Sequence, residues 1–519
     1  MVTEALHRRA VPRVGSLATG LAGGATLLVA LIALSLFSRT RAIDAPFWID
    51  EGLSVGIASF PLSEIPGVLR QDGSPPLYYL LLHLWTDAFG SGVAATHALS
   101  LLFSLLAVPA ALWAGWSLFG RRTGWIAAAF AALNPFLTIY AQETRMYSLV
   151  ILLSILGTAA FAHAFVLRRR RYVGVFALVL ALMLYTHNWA LFFGAGALAA
   201  LVVVARQSSS PRLVWKDGAL AFGLAAIAFA PWLPTLAYQA LHTGAPWSNP
   251  PSPLELLGGP AYILSGQGSL VALFLAAGVG FVRIYERGQS LERTALLAIL
   301  TLALATLLSG WAFSQLTPAW ANRYLGVLLG PLLLIAAVGL PRAGRLGLVA
   351  LVLVCLFWVA FRADDGKSNA ARIATLFGDN ARQGDLILVT QPEQVPVLAY
   401  YFGYERRFAT PLGPVADNRV MDWRDSLEEL EAATPALTLE PLLEELPTGR
   451  RVVLIRPLVR DESAWTAEWT SLVRERSEEW ALALGSDERF TRTQHYVPPY
   501  TERVHRALLV EVFEKTGSG

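Results

Sequence analysis

At 519 residues with 55% hydrophobic side chains, the chain exceeds the roughly 45–50% apolar content of soluble globules, which excludes that class. Its net charge of +3 conceals a split: residues 1–362 carry 23 Lys and Arg against 12 Asp and Glu, whereas residues 363–519 carry 18 against 26. No aromatic-interleaved basic patch or zinc-ligand spacing accompanies the basic excess, so nucleic acid is excluded as the expected partner, and a single cysteine, Cys355 in an apolar run, excludes a disulfide framework.

A bilayer crossing needs about 20 mostly apolar residues. Such runs predict eleven helices, at 15–37, 95–118, 124–140, 143–167, 172–187, 189–205, 218–238, 261–282, 294–314, 323–340 and 345–362. The basic N-terminus "MVTEALHRRAVPRVGS" leads into the first of these and reads as a retained signal anchor. The segment "PLYYLLLHLWTDAF", 76–89, is too short to cross and is expected to be interfacial or re-entrant. With it left out, one side of the membrane receives loops with 17 Lys and Arg and the other about six. The positive-inside rule then puts the N-terminus in the cytoplasm and the tail outside, in a multi-pass plasma (inner) membrane protein.

The fold class expected is a polytopic α-helical membrane protein with a small α/β extracytoplasmic C-terminal domain. Residues 1–362 form the membrane domain, with a long first external loop at 39–94, and 363–519 the second domain. In the tail, "GDLILVT", "RVVLIR" and "ALLVEVF" read as strands, with helices expected in "DWRDSLEELEAA" and "AWTAEWTSLVRERSEEWA" between them. The tail has no glycine-rich phosphate loop and no metal spacing, so its sequence assigns it no chemistry.

This topology collects unusual polar residues on the outer face. "FWIDEGLS" sets Asp50 beside Glu51. A carboxylate near the membrane interface is costly unless hydrated, paired or functional, and a partly desolvated one suits a general base. Adjacent helical residues diverge by about 100°, so one of the two should face a site. "RQDGSPPLYYLLLH" brings Asp72 and His83, "NPFLTIYAQETRMYS" brings Gln142, Glu143, Arg145 and Tyr147, "YTHNW" brings His187, and "PAWANRYLG" brings Arg323 and Tyr324. Guanidinium groups there suit a phosphate, which they grip through two oxygens. A wet acidic loop, a packed histidine and a surface Glu143–Arg145 pair would explain each feature singly. Their convergence on one face argues for a site.

The carboxylate pair in a long first loop, the "GSPPLYYLLLH" helix, the "QETRMYSL" segment and a late "RYL" resemble the GT-C superfamily of polytopic glycosyltransferases over most of residues 15–340. Its protein O-mannosyltransferase and lipid A aminoarabinose transferase branch is the most similar. The resemblance implies inverting transfer of a hexose or pentose from a polyprenyl-phosphate-linked sugar donor to a lipid, protein or polysaccharide acceptor hydroxyl at the outer face. It implies Asp50 as general base with Glu51 beside it, and Arg145 and Arg323 on the donor phosphate. Substrate-binding candidates are Asp72, His83, Gln142, Glu143, Tyr147, His187 and Tyr324. A divalent cation serves some members, although no ligand cluster in this sequence calls for one. Two alternatives share the outer-face arginines or the membrane helices: a polymerase or ligase using a lipid-diphosphate glycan, and a lipid-linked sugar transporter without chemistry.

Overall fold

The computed structural model describes residues 14–363, 366–378, 384–499, 504 and 506–517; the basic run at 1–13, part of the expected signal anchor, lies outside them. Each of the eleven expected spans falls on a helix. Among the described residues, seven helices are long and apolar enough to cross a bilayer, and Gly23–Arg39, Arg171–Thr186 and Arg345–Ala360 are shorter apolar helices. The chain is a multi-pass membrane protein.

Two spans are interrupted. The expected 261–282 span is broken because Ser265 and Gly266 adopt positive φ (62° and 109°), which ends helix Pro253–Ile263 and starts Gln267–Arg287. The 124–140 span breaks at Asn134, whose Oδ1 accepts the Leu137 N–H at 2.9 Å and caps a new helix with Pro135 in its first turn. The first loop folds as three short helices, Ile49–Ala58, Ile65–Asp72 and Leu77–Phe89. Gly73, at φ +84°, turns the chain between the last two, a conformation that costs glycine little.

Three of the helices run in the same direction. Val93–Phe119 runs from the first loop to Arg121, Tyr147–Phe161 from the "QETR" turn toward Arg168, and the helix after Arg323 toward Arg342. At the far end the basic loops meet acids of their own: Arg168 and Arg170 hold Asp217 at 3.1 and 3.5 Å, and Arg342 pairs with Glu292. Nearer the site, fully buried Arg39 ties the first helix to its neighbours, donating to the carbonyls of Ser104 (3.0 Å) and Ala131 (2.6 Å).

The tail contains a six-stranded mixed sheet. Its strands are β1 (Leu386–Val389), β2 (Arg407–Thr410), β3 (Gly413–Pro414), β4 (Arg451–Pro457), β5 (Phe490–Tyr496) and β6 (Leu508–Lys515), in spatial order β3-β2-β1-β4-β6-β5. β1 pairs in parallel with β2 and β4, and β6 lies antiparallel between β4 and β5. All four residues of β1 are buried, as an apolar run covered on both faces requires. Helix Glu468–Ser486 covers one face through Trp480 and Leu484.

On the other face, Ala370–Phe377 and Val395–Phe402 are joined by the first membrane loop: Phe47 and Val55 belong to the same apolar cluster as Ile387, Val397 and Val510. Gly52 and Gly56, one helical turn apart, make this possible, because a Cβ on Gly52 would strike the Val397 backbone and one on Gly56 the Arg419 carbonyl. The loop that carries Asp50 is therefore built against the tail. Gly52→Val should overpack this contact at a cost of about 1–3 kcal/mol, read as a lower melting temperature in detergent and faster proteolysis between the last membrane helix and β1.

Candidate active site

Helix Ile49–Ala58 turns its two acids in different directions. Asp50 points into a cavity of about 760 Å³, whose walls include Trp48, Asp72, Arg145, His187, Arg323 and Tyr324. Its Oδ2 lies 3.6 Å from Arg323 Nη2 and 3.9 Å from Arg145 Nε, and accepts no hydrogen bond among the described residues.

Glu51 points the other way and is fully buried. One oxygen meets His97 Nε2 at 2.5 Å and the Thr144 N–H at 2.8 Å; Lys367 Nζ reaches both, at 2.9 and 3.1 Å, and the Trp48 N–H approaches at 3.3 Å. The second ring nitrogen of His97 faces the Ile43 carbonyl at 2.7 Å, which fixes the ring between that carbonyl and Glu51. Burial alone would raise the Glu51 pKa, but the charges of Lys367 and His97 outweigh it and hold the carboxyl at about 2. Every lone-pair direction of this carboxylate is engaged, so of the expected pair only Asp50 is open to a reactant.

Arg145 is gripped by the first loop: its Nη1 donates to Ser54 Oγ (3.0 Å), the Asp50 carbonyl (3.3 Å) and Tyr79 Oη (3.3 Å). Tyr79 in turn donates to Asp72 at 3.3 Å. Burial raises the Asp72 pKa, partly opposed by the Arg145 charge. The rings of Tyr147, His187 and Tyr324 pack together, with centroids 4.8–6.4 Å apart, and the Tyr147 hydroxyl has no partner among the described residues.

Gln142 and Glu143 are brought to a second cavity, of about 510 Å³, together with Lys367 and Arg362. Trp48, Arg323 and Arg506 line both cavities. Among the described residues Glu143 Oε2 is buried without a hydrogen bond, and burial raises its pKa to about 7, with Lys367 opposing. His83 is not brought to the site. Its Nδ1 lies 2.8 Å from the Ala58 carbonyl and its Nε2 3.4 Å from Asp87, one turn on along the same helix, which fixes the ring away from both cavities.

Three residues escaped the sequence reading. His97 sits in the first turns of an apolar span and carries no local motif. Lys367 and Arg506 belong to the tail, whose sequence suggested no chemistry. Lys367 did carry a signal: it is one of only three lysines among 41 basic residues. The tail also closes the large cavity with Glu393 and Trp423, the latter against Trp247 of the membrane loops at 4.8 Å. Among the described residues, no three His, Cys, Asp or Glu side chains gather as a metal-binding group.

No protein-family model and no curated protein matches the chain. Among solved structures it is similar to ArnT from Cupriavidus metallidurans in the apo state, with 13% identity, 97% of this chain and 100% of that chain covered, and a TM-score of 0.61. The same protein bound to undecaprenyl phosphate gives 13% identity, 96% and 99% coverage, and a TM-score of 0.58. The chain thus shares the fold of these structures along nearly its whole length.

The two adjacent acids should separate by experiment. Glu51→Gln would leave Lys367 without its counter-charge, at a cost of about 3–5 kcal/mol, whereas Asp50→Asn should keep the native melting temperature. An unfolded glutamate ionises from about 4.5 but Glu143 stays neutral until about 7. Stability should therefore fall as pH rises across that interval and level off beyond it; thermal melts of Glu143→Gln should lack this decline.

Proposed function

We propose that the protein is an inverting glycosyltransferase that moves a sugar from a polyprenyl-phosphate donor to an acceptor hydroxyl at the outer face of the membrane. The observation that carries this reading is the Asp50 carboxylate, with one oxygen free of hydrogen bonds among the described residues, opening into a large cavity beside two guanidinium groups. The ArnT fold, and the undecaprenyl phosphate held by one of the similar structures, support a lipid-linked donor.

In the reaction, the acceptor oxygen attacks the anomeric carbon from the face opposite the phosphate. Its proton passes to Asp50 as general base. The bond from the anomeric carbon to the phosphate oxygen breaks, its electron pair leaves with the lipid phosphate, and the phosphate gains one negative charge. Arg145 and Arg323 stabilise that charge, an effect strengthened in a site shielded from water. No proton need be given to this leaving group. Glu51 acts as a positioning residue: it anchors the helix that presents Asp50. Asp72, Gln142, Glu143, Tyr147, His187 and Tyr324 line or support the two cavities as substrate contacts, and His83 takes no part.

The orientation that fits puts the N-terminus in the cytoplasm and residues 363–519 outside, as the clustering of basic loops at the end away from Asp50 supports. Transfer of labelled sugar should be measured in membranes supplied with a panel of polyprenyl-monophosphate sugars. Asp50→Asn should lower transfer by about 10²–10⁴-fold with donor binding retained. Undiminished transfer by that variant would overturn the role of Asp50. Transfer only from a diphosphate donor would replace the donor class.

A further inference from the structure

Lys367 and Arg506 reach the membrane helices as one unit. The backbone of Ser368 bridges that of Arg506 in parallel register. Next to it, the Asn369 amide holds both backbone groups of Leu508, donating to its carbonyl and accepting its N–H, each at 2.8 Å. The two cations then part. Lys367 is consumed by Glu51 and by the Gln142 carbonyl at 2.8 Å. Arg506 lies over the Trp48 indole, its guanidinium carbon 3.8 Å from the ring centroid. Among the described residues it has no ion-pair partner and no side-chain hydrogen bond.

The charges around Asp50 do not balance. One carboxylate faces both Arg145 and Arg323, and Arg145 Nη1 is already committed to Ser54, Tyr79 and a backbone carbonyl. Arg323 also lies over Trp48, 5.7 Å from the centroid. The wall between the two cavities is therefore an indole flanked by two guanidinium groups, one of which, Arg506, feels the charges of Asp50 and Glu143 but forms no ion pair among the described residues. A partly buried cation in that state is costly, and a phosphate resting on the wall would supply the missing charge through paired N–H donors.

We infer that Arg506, supplied by the C-terminal domain, is a phosphate-binding residue that seats the lipid phosphate with Arg323 at the Trp48 wall. The inference rests on the glycosyl-transfer reading above and gives the tail a direct part in donor recognition. As the sugar departs, the phosphate gains a charge at the place where an uncommitted guanidinium lies.

The test is binding of undecaprenyl phosphate to the full-length protein in nanodiscs, with undecaprenol as the control lacking phosphate. Arg506→Met keeps an unbranched stem over Trp48 and removes the charge. It should weaken undecaprenyl phosphate binding roughly 10- to 100-fold, leave undecaprenol unaffected, and recover in part as Arg506→Lys. Arg407→Ala, which removes an exposed pair with Glu445, should bind as the native chain does. If Arg506→Met melts below the native protein, Arg506→Gln, which keeps a planar group over the indole, is read in its place. Native affinity in the folded variant, with binding lost in Arg323→Ala, would overturn the inference and leave the glycosyl-transfer reading intact. Failure of the native protein to bind undecaprenyl phosphate would remove both.

Discussion

The carboxylate of Glu51 holds four segments of the chain in one place. It joins the first loop to His97 at the head of a membrane helix, to the Thr144 amide in the "QETR" turn, and to Lys367 beyond the last span. A buried ion cluster of this kind need not add net stability, because desolvation offsets much of the attraction. Its contribution is geometric. With every oxygen direction occupied, the helix carrying Asp50 has one orientation, and Asp50 is aimed at the cavity as a consequence.

Around that anchor the polar residues divide by whether their bonding capacity is filled. Glu51, Lys367 and His97 are saturated, and Arg145 is largely so. Among the described residues, Asp50, Tyr147 and Glu143 retain buried atoms without hydrogen-bond partners, and Arg506 lies over Trp48 without an ion pair. In a membrane protein an unsatisfied polar group is expensive, and these four residues lie at or beside the two cavities. The aromatic groups follow the same logic. Trp48 separates the cavities, and Trp247 meets Trp423 where the membrane loops face the tail.

The helices were legible because twenty apolar residues in a row allow few other structures, and the strands of the tail because β1 is buried on both faces and β4 and β6 pair along their length. The "FWIDEG", "QETRMY" and "RYL" segments were legible because charged groups at span ends are rare enough to stand out. What stayed hidden has a common cause. Glu51 pairs with Lys367 across 316 positions and Asn369 with Leu508 across 139, and no local pattern announces a contact of that range. The role of Gly52 and Gly56 was hidden likewise, since a glycine pair one turn apart signals close approach without naming the partner. His83 misled because a histidine among apolar residues looks the same whether it faces a cavity or its own helix's aspartate.

The parallel bridge between Ser368 and Arg506 also sets the order in which the molecule can mature. Of the six described strands β6 comes last in chain order, and it occupies an interior position of the sheet, between β4 and β5. Until it is inserted, β4 lacks a neighbour, Asn369 lacks Leu508, and Arg506 is not beside Trp48. Membrane helices can therefore be integrated and packed while the wall between the cavities is still incomplete. Contacts of such long range form late, so a chain released early would have the bundle and Asp50 but only part of the pocket.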